Sequence, residues 1–421
     1  MALHPILSAL RRHRAGVVLI ALQIALTLAI VCNTLFIISE RLHTVSRPTG
    51  MDERDLFFVS QLWVGAPSED QPDGVARLDA LQREDLAALR NMPDVASVSP
   101  ATTLPLFSSS RTGSVSLSAG HGEYDGDSPG TAHVAYFFTD EQAQQTLGIW
   151  MAAGRFFHAD EVQHGNSDDV QKPRSLVIST ALAAKMFPGM PVGSVVGRAL
   201  YIDGGSSPMT VVGVMDALQA PGRGIREVWN TAILPMRMNT HFSHYAIRAK
   251  PGRLEQAMKA TPGVLYAVNP MRVLDEQGIL PFAKIRKDAY EADVGMAILM
   301  SFVCLILLAV TAAGIVGLTS FWVAQRNRQI GVRRALGARK VDILRYFQAE
   351  NLAIAGGGAC AGVFLAIGLN VWLMGRFAME RLPLSWIGTG VVIVLLLGQL
   401  AVFVPARRAS NVPPVVATRA A

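Results

Sequence analysis

Charge is scarce in this chain. Only 17% of its 421 residues are Asp, Glu, Lys or Arg, against about 25% in an average soluble domain. With 51% hydrophobic residues and a mean hydropathy of +0.32, that deficit excludes an ordinary water-soluble protein. Cysteine is scarcer still. Cys32, Cys304 and Cys360 all lie in apolar runs, and none lies between Glu40 and Asp293, so that long segment folds without disulfides. The chain contains no G-x-x-x-x-G-K-[ST], which excludes a phosphate-cradling ATPase loop from this sequence. It contains no H-E-x-x-H zinc motif, and no Ser/His/Asp arrangement stands out. Aromatic residues make up 7% of the chain and are not interleaved with its basic residues as a nucleic-acid surface requires.

What the chain does have is long uncharged runs. They cover Ala15 to Ser39, Val294 to Ala324, Asn351 to Gly375 and Leu382 to Ala406. Each exceeds the roughly 20 apolar residues that a helix needs to cross a bilayer. The first is too long for a signal-peptide core and is followed by no clear cleavage site, so it reads as a retained anchor. Lys and Arg set the orientation. Arg11, Arg12 and Arg14 precede the first run. Arg326, Arg328, Arg333, Arg334, Arg339, Lys340 and Arg345 lie between the second and third, opposed only by Asp342 and Glu350. Arg407, Arg408 and Arg419 follow the fourth. These segments belong in the cytoplasm, with both termini inside and the segment from Glu40 to Asp293 outside.

The net charge of +6 then separates into two parts. The outer segment carries 23 Lys/Arg and 29 Asp/Glu, or −6, and the remainder of the chain carries +12. The basic balance therefore reports membrane orientation rather than an acidic partner.

The outer segment reads as mixed α/β. Leu56–Val64 has strand character, Leu78–Met92 is an amphipathic helix, and Val95–Val98 is a strand closed by Pro100. A similar phrase recurs late: a helix over Arg253–Ala260, a break at Pro262-Gly263 and a strand over Val264–Val268. Leu176–Ile178 reads as a strand and Thr180–Phe187 as a helix. Ala199–Ile202 and Thr210–Val214 pair around Asp203-Gly204-Gly205, and Asp275–Asp293 turns helical as a stalk leading into the second span. Ser108 to Gly130 is a loop or exposed hairpin. Its His121, Glu123, Asp125 and Asp127 match neither zinc nor EF-hand spacing, and His158, Asp160, Glu161, His164, Asp168 and Asp169 form a polar surface patch. No catalytic, metal or cofactor site is expected.

Between the second and third spans, Gln325 to Arg345 predicts a helix ending near Gly337, a suitable breaker. A second helix restarts near Lys340, with Val341, Leu344 and Phe347 on one side. At the N-terminus, Leu3, Ile6, Leu7 and Leu10 predict an interfacial helix over residues 1–14. Small residues predict helix packing: Ala309, Ala313 and Gly317 in the second span, Gly358 and Gly362 in the third.

The phrase Ile330 to Ala338, IGVRRALGA, followed by Asp342-Ile343-Leu344-Arg345, resembles the signature of MacB/FtsX-type ABC transporter permeases. Leu81–Pro105, Gly154–Phe157 with Asp160-Glu161, and Leu176–Asp216 resemble that family's periplasmic core domain. Pro405–Ala409 with Pro414 and Val415 resembles its C-terminal motif. The resemblance implies four transmembrane helices (15–39, 294–324, 351–375 and 382–406). It places a MacB-like periplasmic core domain at 40–293, a coupling-helix hairpin at 325–350 and a cytoplasmic tail at 407–421, with no fused ATPase domain. It implies an inner-membrane mechanotransmission subunit acting as a homodimer or with a second permease. ATP and Mg are then bound by a partner ATP-binding subunit, which docks on Ile330, Gly331, Arg333, Arg334, Ala335, Leu336, Gly337 and Ala338. The second-span row of small residues is the better candidate for dimerisation. Gln325 and Gln329 stand where the family commonly has acidic residues. The resemblance leaves three roles open: efflux with a periplasmic adaptor and outer-membrane channel, lipoprotein release, and signalling to a cell-wall hydrolase.

Overall fold

A computed structural model describes residues 14–69, 71, 73–107, 111–120, 130–222, 227–377 and 380–411. The expected N-terminal helix, the 121–127 acidic loop and residues 412–421 of the tail lie outside the described residues. The chain divides into a helical unit, 1–46 with 292–421, and a large domain, 47–291.

The helical unit holds four helices long and apolar enough to cross a membrane. These are α1 (Arg14–Ser46), α7 (Phe282–Ala335, which begins in the large domain), α8 (Lys340–Phe377) and α9 (Leu384–Ser410). α8 packs along both α1 and α9. Its close approach to α1 depends on two glycines. A Cβ on Gly358 would stand 2.8 Å from the Ala21 carbonyl oxygen, and one on Gly362 would stand 2.9 Å from that of Ala25. Three hydrogen-bonding residues of α1 find partners in the same chain. Gln23 donates to the Val310 carbonyl, Asn33 to those of Ala29 and Ala366, and the Thr27 and Thr311 hydroxyls are 2.7 Å apart. Such bonds remove polar groups from contact with lipid, where an unmet donor or acceptor is costly. One side of α7 carries exposed Leu299, Phe302, Leu305, Ile306 and Val310.

The large domain contains two sheets. The first is four-stranded, in the order β12-β1-β11-β2. It is built from β1 (Leu56–Trp63), β2 (Val95–Pro100), β11 (Phe242–Ala249) and β12 (Arg272–Pro281), with α2 (Gly74–Arg90) and α6 (Leu254–Val268) between successive strands. β1-α2-β2 and β11-α6-β12 are two split β-α-β units around the antiparallel β1–β11 pair. The first helix–turn–strand phrase in the sequence is the α2–β2 half of the first unit; the second falls within α6. Phe57, Val59, Leu86, Leu89, Val98, Tyr245, Ile247 and Leu265 form the core between sheet and helices; each large apolar side chain contributes about 2 kcal/mol by leaving water.

At the edge of that core lies a fully buried ion pair. Arg272 and Asp85 both have 0% of their side-chain surface exposed. The guanidinium donates from Nη1 and Nη2 to separate carboxylate oxygens, both at 2.8 Å, and sits 4.3 Å from the Trp63 ring centre. Gln61 and the Tyr245 hydroxyl also donate to Asp85. The pair is buried on condition that its remaining hydrogen-bonding positions are filled, since a buried charge left unmet is strongly destabilising.

The second sheet contains β3 (Arg111–Ser116), β4 (Thr131–Thr139), β5 (Met151–Gly154), β6 (Gln163–Gly165), β7 (Ser175–Ser179), β8 (Ala199–Ile202), β9 (Met209–Met215) and β10 (Thr231–Met238). β4 pairs with β3 on one side and with β10 on the other, so β4-β3-β8-β9-β7-β10 closes on itself. Tyr136, Phe138, Leu176, Ile178, Val211 and Leu234 are among its core residues. Closure removes the open sheet edges that would otherwise invite pairing with other chains. Within the segment expected to be a loop or hairpin, Arg111–Ser116 is β3 and pairs antiparallel with β4, and β8 and β9 pair as expected.

α2 joins the two sheets. Arg90 donates to Asp140 at 2.8 Å, with Ser99 on the other carboxylate oxygen. Burial raises the Asp140 carboxyl, as does Glu141 nearby. Asp79 faces His164 of β6 at 2.7 Å. Burial alone would raise the Asp79 carboxyl, but the hydrogen bond from His164 and the nearby Arg83 charge hold it at about 2.

Three expectations are corrected. Pro262 does not break the late helix, and α6 runs from Leu254 to Val268 with the proline inside it. The lost hydrogen bond is outweighed because Ala257, Thr261 and Leu265, four residues apart, bury one stripe of the helix. The strand placed at Val264–Val268 is therefore helix. The stretch expected to be helical from Asp275 is β12 as far as Pro281, drawn into strand by pairing with β1, and helix begins only at Phe282. In the hairpin, Ile343 and Phe347 are buried while Val341 is exposed, so the buried side is turned from the one expected.

Candidate coupling hairpin

α7 ends at Ala335 and α8 starts at Lys340, leaving a four-residue connection. Gly337 has φ +96°, a conformation that favours glycine. The Ala338 amide donates to the Arg333 carbonyl and the Gly337 amide to that of Arg334, both at 3.1 Å. This is the glycine-closed helix end that satisfies the last carbonyls. On the far side the Asp342 carboxylate accepts from the Arg339 amide at 3.0 Å, capping the first turn of α8.

Three arginines brace the turn. Arg326 Nη1 lies 3.0 Å from both oxygens of Glu350. The Arg333 guanidinium stands 5.2 Å from the centre of the Tyr346 ring. Arg334 donates to the Ser410 carbonyl at the end of α9, at 2.8 Å. The hairpin is thereby tied to α8 twice and to α9 once.

The expected docking residues separate by position. Ile330 and Gly331 are buried inside the helical unit. Arg333, Ala335, Leu336 and Gly337 are exposed, while Arg334 and Ala338 are half-buried. Leu336 is 83% exposed, the most exposed large apolar residue described in the chain. Val332 and Val341, on either side of it along the chain, are also exposed; neither was among the expected docking residues. The signal for Val332 was available, since it precedes Leu336 by four residues on one helix face.

The packing residues divide as well. Gly358 and Gly362 sit buried against α1. Ala309, Ala313 and Gly317 lie on an exposed side of α7, and a Cβ on Gly317 would meet nothing within 4 Å. The polar patch of the large domain is structural: Glu161 pairs with Arg155, Asp169 with Lys172 and His164 with Asp79. Among the described residues no group of three His, Cys, Asp or Glu could hold a metal ion.

A large domain inserted between the first two of four membrane-type helices, with a braced basic hairpin between the second and third, defines a membrane permease architecture. The MacB-like periplasmic core domain family matches residues 17–262, and the FtsX-like permease C-terminal family matches 301–414. The chain belongs to the MacB/FtsX-type family of ABC transporter permeases. It is 28% identical over 324 residues to the macrolide export ATP-binding/permease protein MacB of Chromobacterium violaceum, covering 72% of this chain and 48% of that protein. It is 27% identical over 352 residues to MacB of Shewanella oneidensis, covering 81% and 49%. The chain thus spans about half the length of these curated relatives. Among solved structures, the periplasmic region of MacB from Actinobacillus actinomycetemcomitans matches 58% of this chain and 97% of its own, with a TM-score of 0.34 and 13% identity. The extracellular domain of the noncanonic ABC-type transporter YknZ matches 52% and 100%, with a TM-score of 0.31 and 14% identity.

Proposed function

We infer that this chain is the permease subunit of an ABC transporter in the bacterial inner membrane, with both termini and the hairpin in the cytoplasm. A separate ATP-binding subunit binds and hydrolyses ATP. Its movement is received at the hairpin and passed through the spans to the large domain outside, which expels or extracts a substrate. The observation that carries this reading is the hairpin tip. An apolar residue as exposed as Leu336, between Val332 and Val341 on a basic rim, has the composition of the anchor of a protein interface. The bracing arginines favour a lever that is displaced as a body rather than one that bends. Spans free of Asp, Glu, Lys and Arg agree with mechanical transmission in place of an ion pathway.

The test is Leu336→Asp in the complex with the ATP-binding subunit, which is expected from a neighbouring reading frame. Because Leu336 is exposed, the variant should fold as the parent does. It is expected to lose co-purification and stimulation of ATP hydrolysis by at least about tenfold. Wild-type assembly and stimulation in this variant would show that the ATPase docks elsewhere.

A further inference from the structure

Among the described residues Trp150 is the most exposed aromatic, with 79% of its surface open, whereas its neighbour Ile149 is buried. An indole left in water forgoes the burial of about 150–250 Å² of surface. Its backbone is nevertheless fixed on both sides. The short helix α3 (Ala143–Leu147) ends at Gly148, whose φ of +66° turns the chain so that Ile149 enters the core and Trp150 leaves it. The Ile149 amide donates to the Gln144 carbonyl at 3.0 Å, and the Trp150 carbonyl accepts from the Asp216 amide at 2.9 Å. Met151 already belongs to β5 and pairs with Met215 of β9.

α3 is held as firmly. The buried Asp140 carboxylate accepts from the Gln142 amide at 3.0 Å. Arg248 donates to the Thr146 carbonyl at 2.8 Å, and the Asp52 amide to the Leu147 carbonyl at 2.9 Å. Ala143, Thr146 and Leu147 face inward. Glu141, Gln142, Gln144 and Gln145 line a shallow recess of about 630 Å³ together with Trp150. Platform and wall are thus set in place before any ligand arrives, which lowers the ordering cost of binding.

We propose that this recess binds a saccharide, with the indole as the platform for one pyranose ring and the amides as its hydrogen-bonding wall. A pyranose presents a flat patch of C–H groups, slightly positive, that suits the negative face of an indole. Around it runs a girdle of hydroxyls, each both donor and acceptor. A glutamine side chain answers such a girdle, since it offers one acceptor and two donors. Glu141 Oε2 is buried and accepts no hydrogen bond from the described residues. The chain thus leaves this carboxylate under-satisfied, and a hydroxyl donating to it from the recess meets the shortfall. Among the lining residues Glu141 is the only charged one, which disfavours an anion. A bare organic cation would use the indole and Glu141 and leave the amide N–H donors idle. The indole is also the only exposed apolar side chain lining the recess, whereas the core of a protein interface gathers several.

The experiment uses the full chain in phospholipid nanodiscs free of glycolipid, with binding read by saturation-transfer NMR on the ligand. The probes are the methyl glycosides of glucose, galactose and N-acetylglucosamine, and the tetrasaccharides of glucose and N-acetylglucosamine. Mannitol, which has hydroxyls but no ring, and tetramethylammonium are the comparisons. At least one sugar is expected to receive transfer, strongest at the C–H protons of one ring face, and both comparisons about tenfold less. Trp150→Ala, whose lost ring is exposed, should fold as the parent does and lose at least about tenfold in affinity. Trp150→Tyr keeps a flat face and should stay within about threefold. Glu141→Gln and Gln144→Ala should each weaken binding by about threefold. A tetrasaccharide bound more tightly than its single sugar assigns the recess to a glycan chain, and equal binding assigns it to one sugar unit. Transfer to no sugar, equal transfer to mannitol, preference for tetramethylammonium, or sugar binding that survives Trp150→Ala would overturn the proposal. All the residues involved belong to the large domain, so a negative result leaves the transport reading standing, and loss of that reading leaves this site untouched.

Discussion

Arg326 and Glu350 meet across the base of the hairpin, with one guanidinium nitrogen 3.0 Å from each carboxylate oxygen. Both side chains are largely buried, at 14% and 5% exposure. The contact joins the end of the second spanning helix to the beginning of the third. A hairpin fastened at its base transmits a push at its tip to both helices together; an unfastened one dissipates the push in its own bending.

Breaking this pair should therefore cost more than a surface ion pair. Arg326→Gln leaves a buried carboxylate unmet and is expected to destabilise the helical unit by about 3 kcal/mol. The double exchange Arg326→Glu with Glu350→Arg should recover at least about half of that loss. Thermal unfolding of the purified chain in nanodiscs measures both. An unchanged midpoint in the single variant would show that the pair holds nothing.

The glycines and the small-residue row should respond oppositely to added bulk. Gly362→Val places a Cβ against the backbone of Ala25, which cannot move aside as a flexible side chain would. It is expected to cost about 1–3 kcal/mol by forcing α8 from α1. Gly317→Val meets no atom of its own chain, so the monomer should unfold at its usual temperature. If the Ala309, Ala313 and Gly317 row joins two copies, this second variant alone should reduce self-association, measured by energy transfer between labelled copies. A shared unfolding defect with intact association would reject that division.

Acid should loosen α2 through Asp79. Its carboxyl sits at about 2 in the folded chain, below the ordinary 3.8. A folded-state value that is depressed stabilises above the unfolded value and is lost as pH falls from about 3.8 through about 2. The contribution near neutrality is about 2 kcal/mol, of which about half should be gone by pH 3. Asp140, raised by burial, shifts in the opposite sense, so Asp79→Asn is needed to isolate the effect. Hydrogen exchange of α2 amides, corrected for intrinsic rates, should quicken at pH 3 in the wild type. The variant should be fast at both pH values; a variant that kept the wild-type pH response would assign it to another group.

Much of the fold could be seen in the sequence because it rests on local quantities. β1, α2 and β2 stand close to where periodicity and Pro100 placed them. The hairpin turn at Gly337 was visible because only a small set of residues accepts its backbone angle. Pro262 misled because the local cost of a proline was weighed without the buried stripe that offsets it. Asp275 to Pro281 misled for the same reason, since a strand edge offered by β1 outweighed local helical pattern. Arg333 and Arg334, expected as docking residues, also meet Tyr346 and the Ser410 carbonyl within the chain, partners no spacing rule could supply.

What the sequence alone determined is how the chain is laid out: four spanning runs, a large disulfide-free insertion and a basic hairpin. Length, hydropathy and charge sign are read along one dimension, and the bilayer responds to those same quantities. Only the tertiary structure decided which residues are available. Asp85 meets Arg272 across 187 positions, Gly358 and Gly362 are consumed in packing within the chain, and Leu336 and Trp150 are left exposed. Burial and pairing depend on what the rest of the chain brings into contact, and that is settled only when distant segments compete for the same interior.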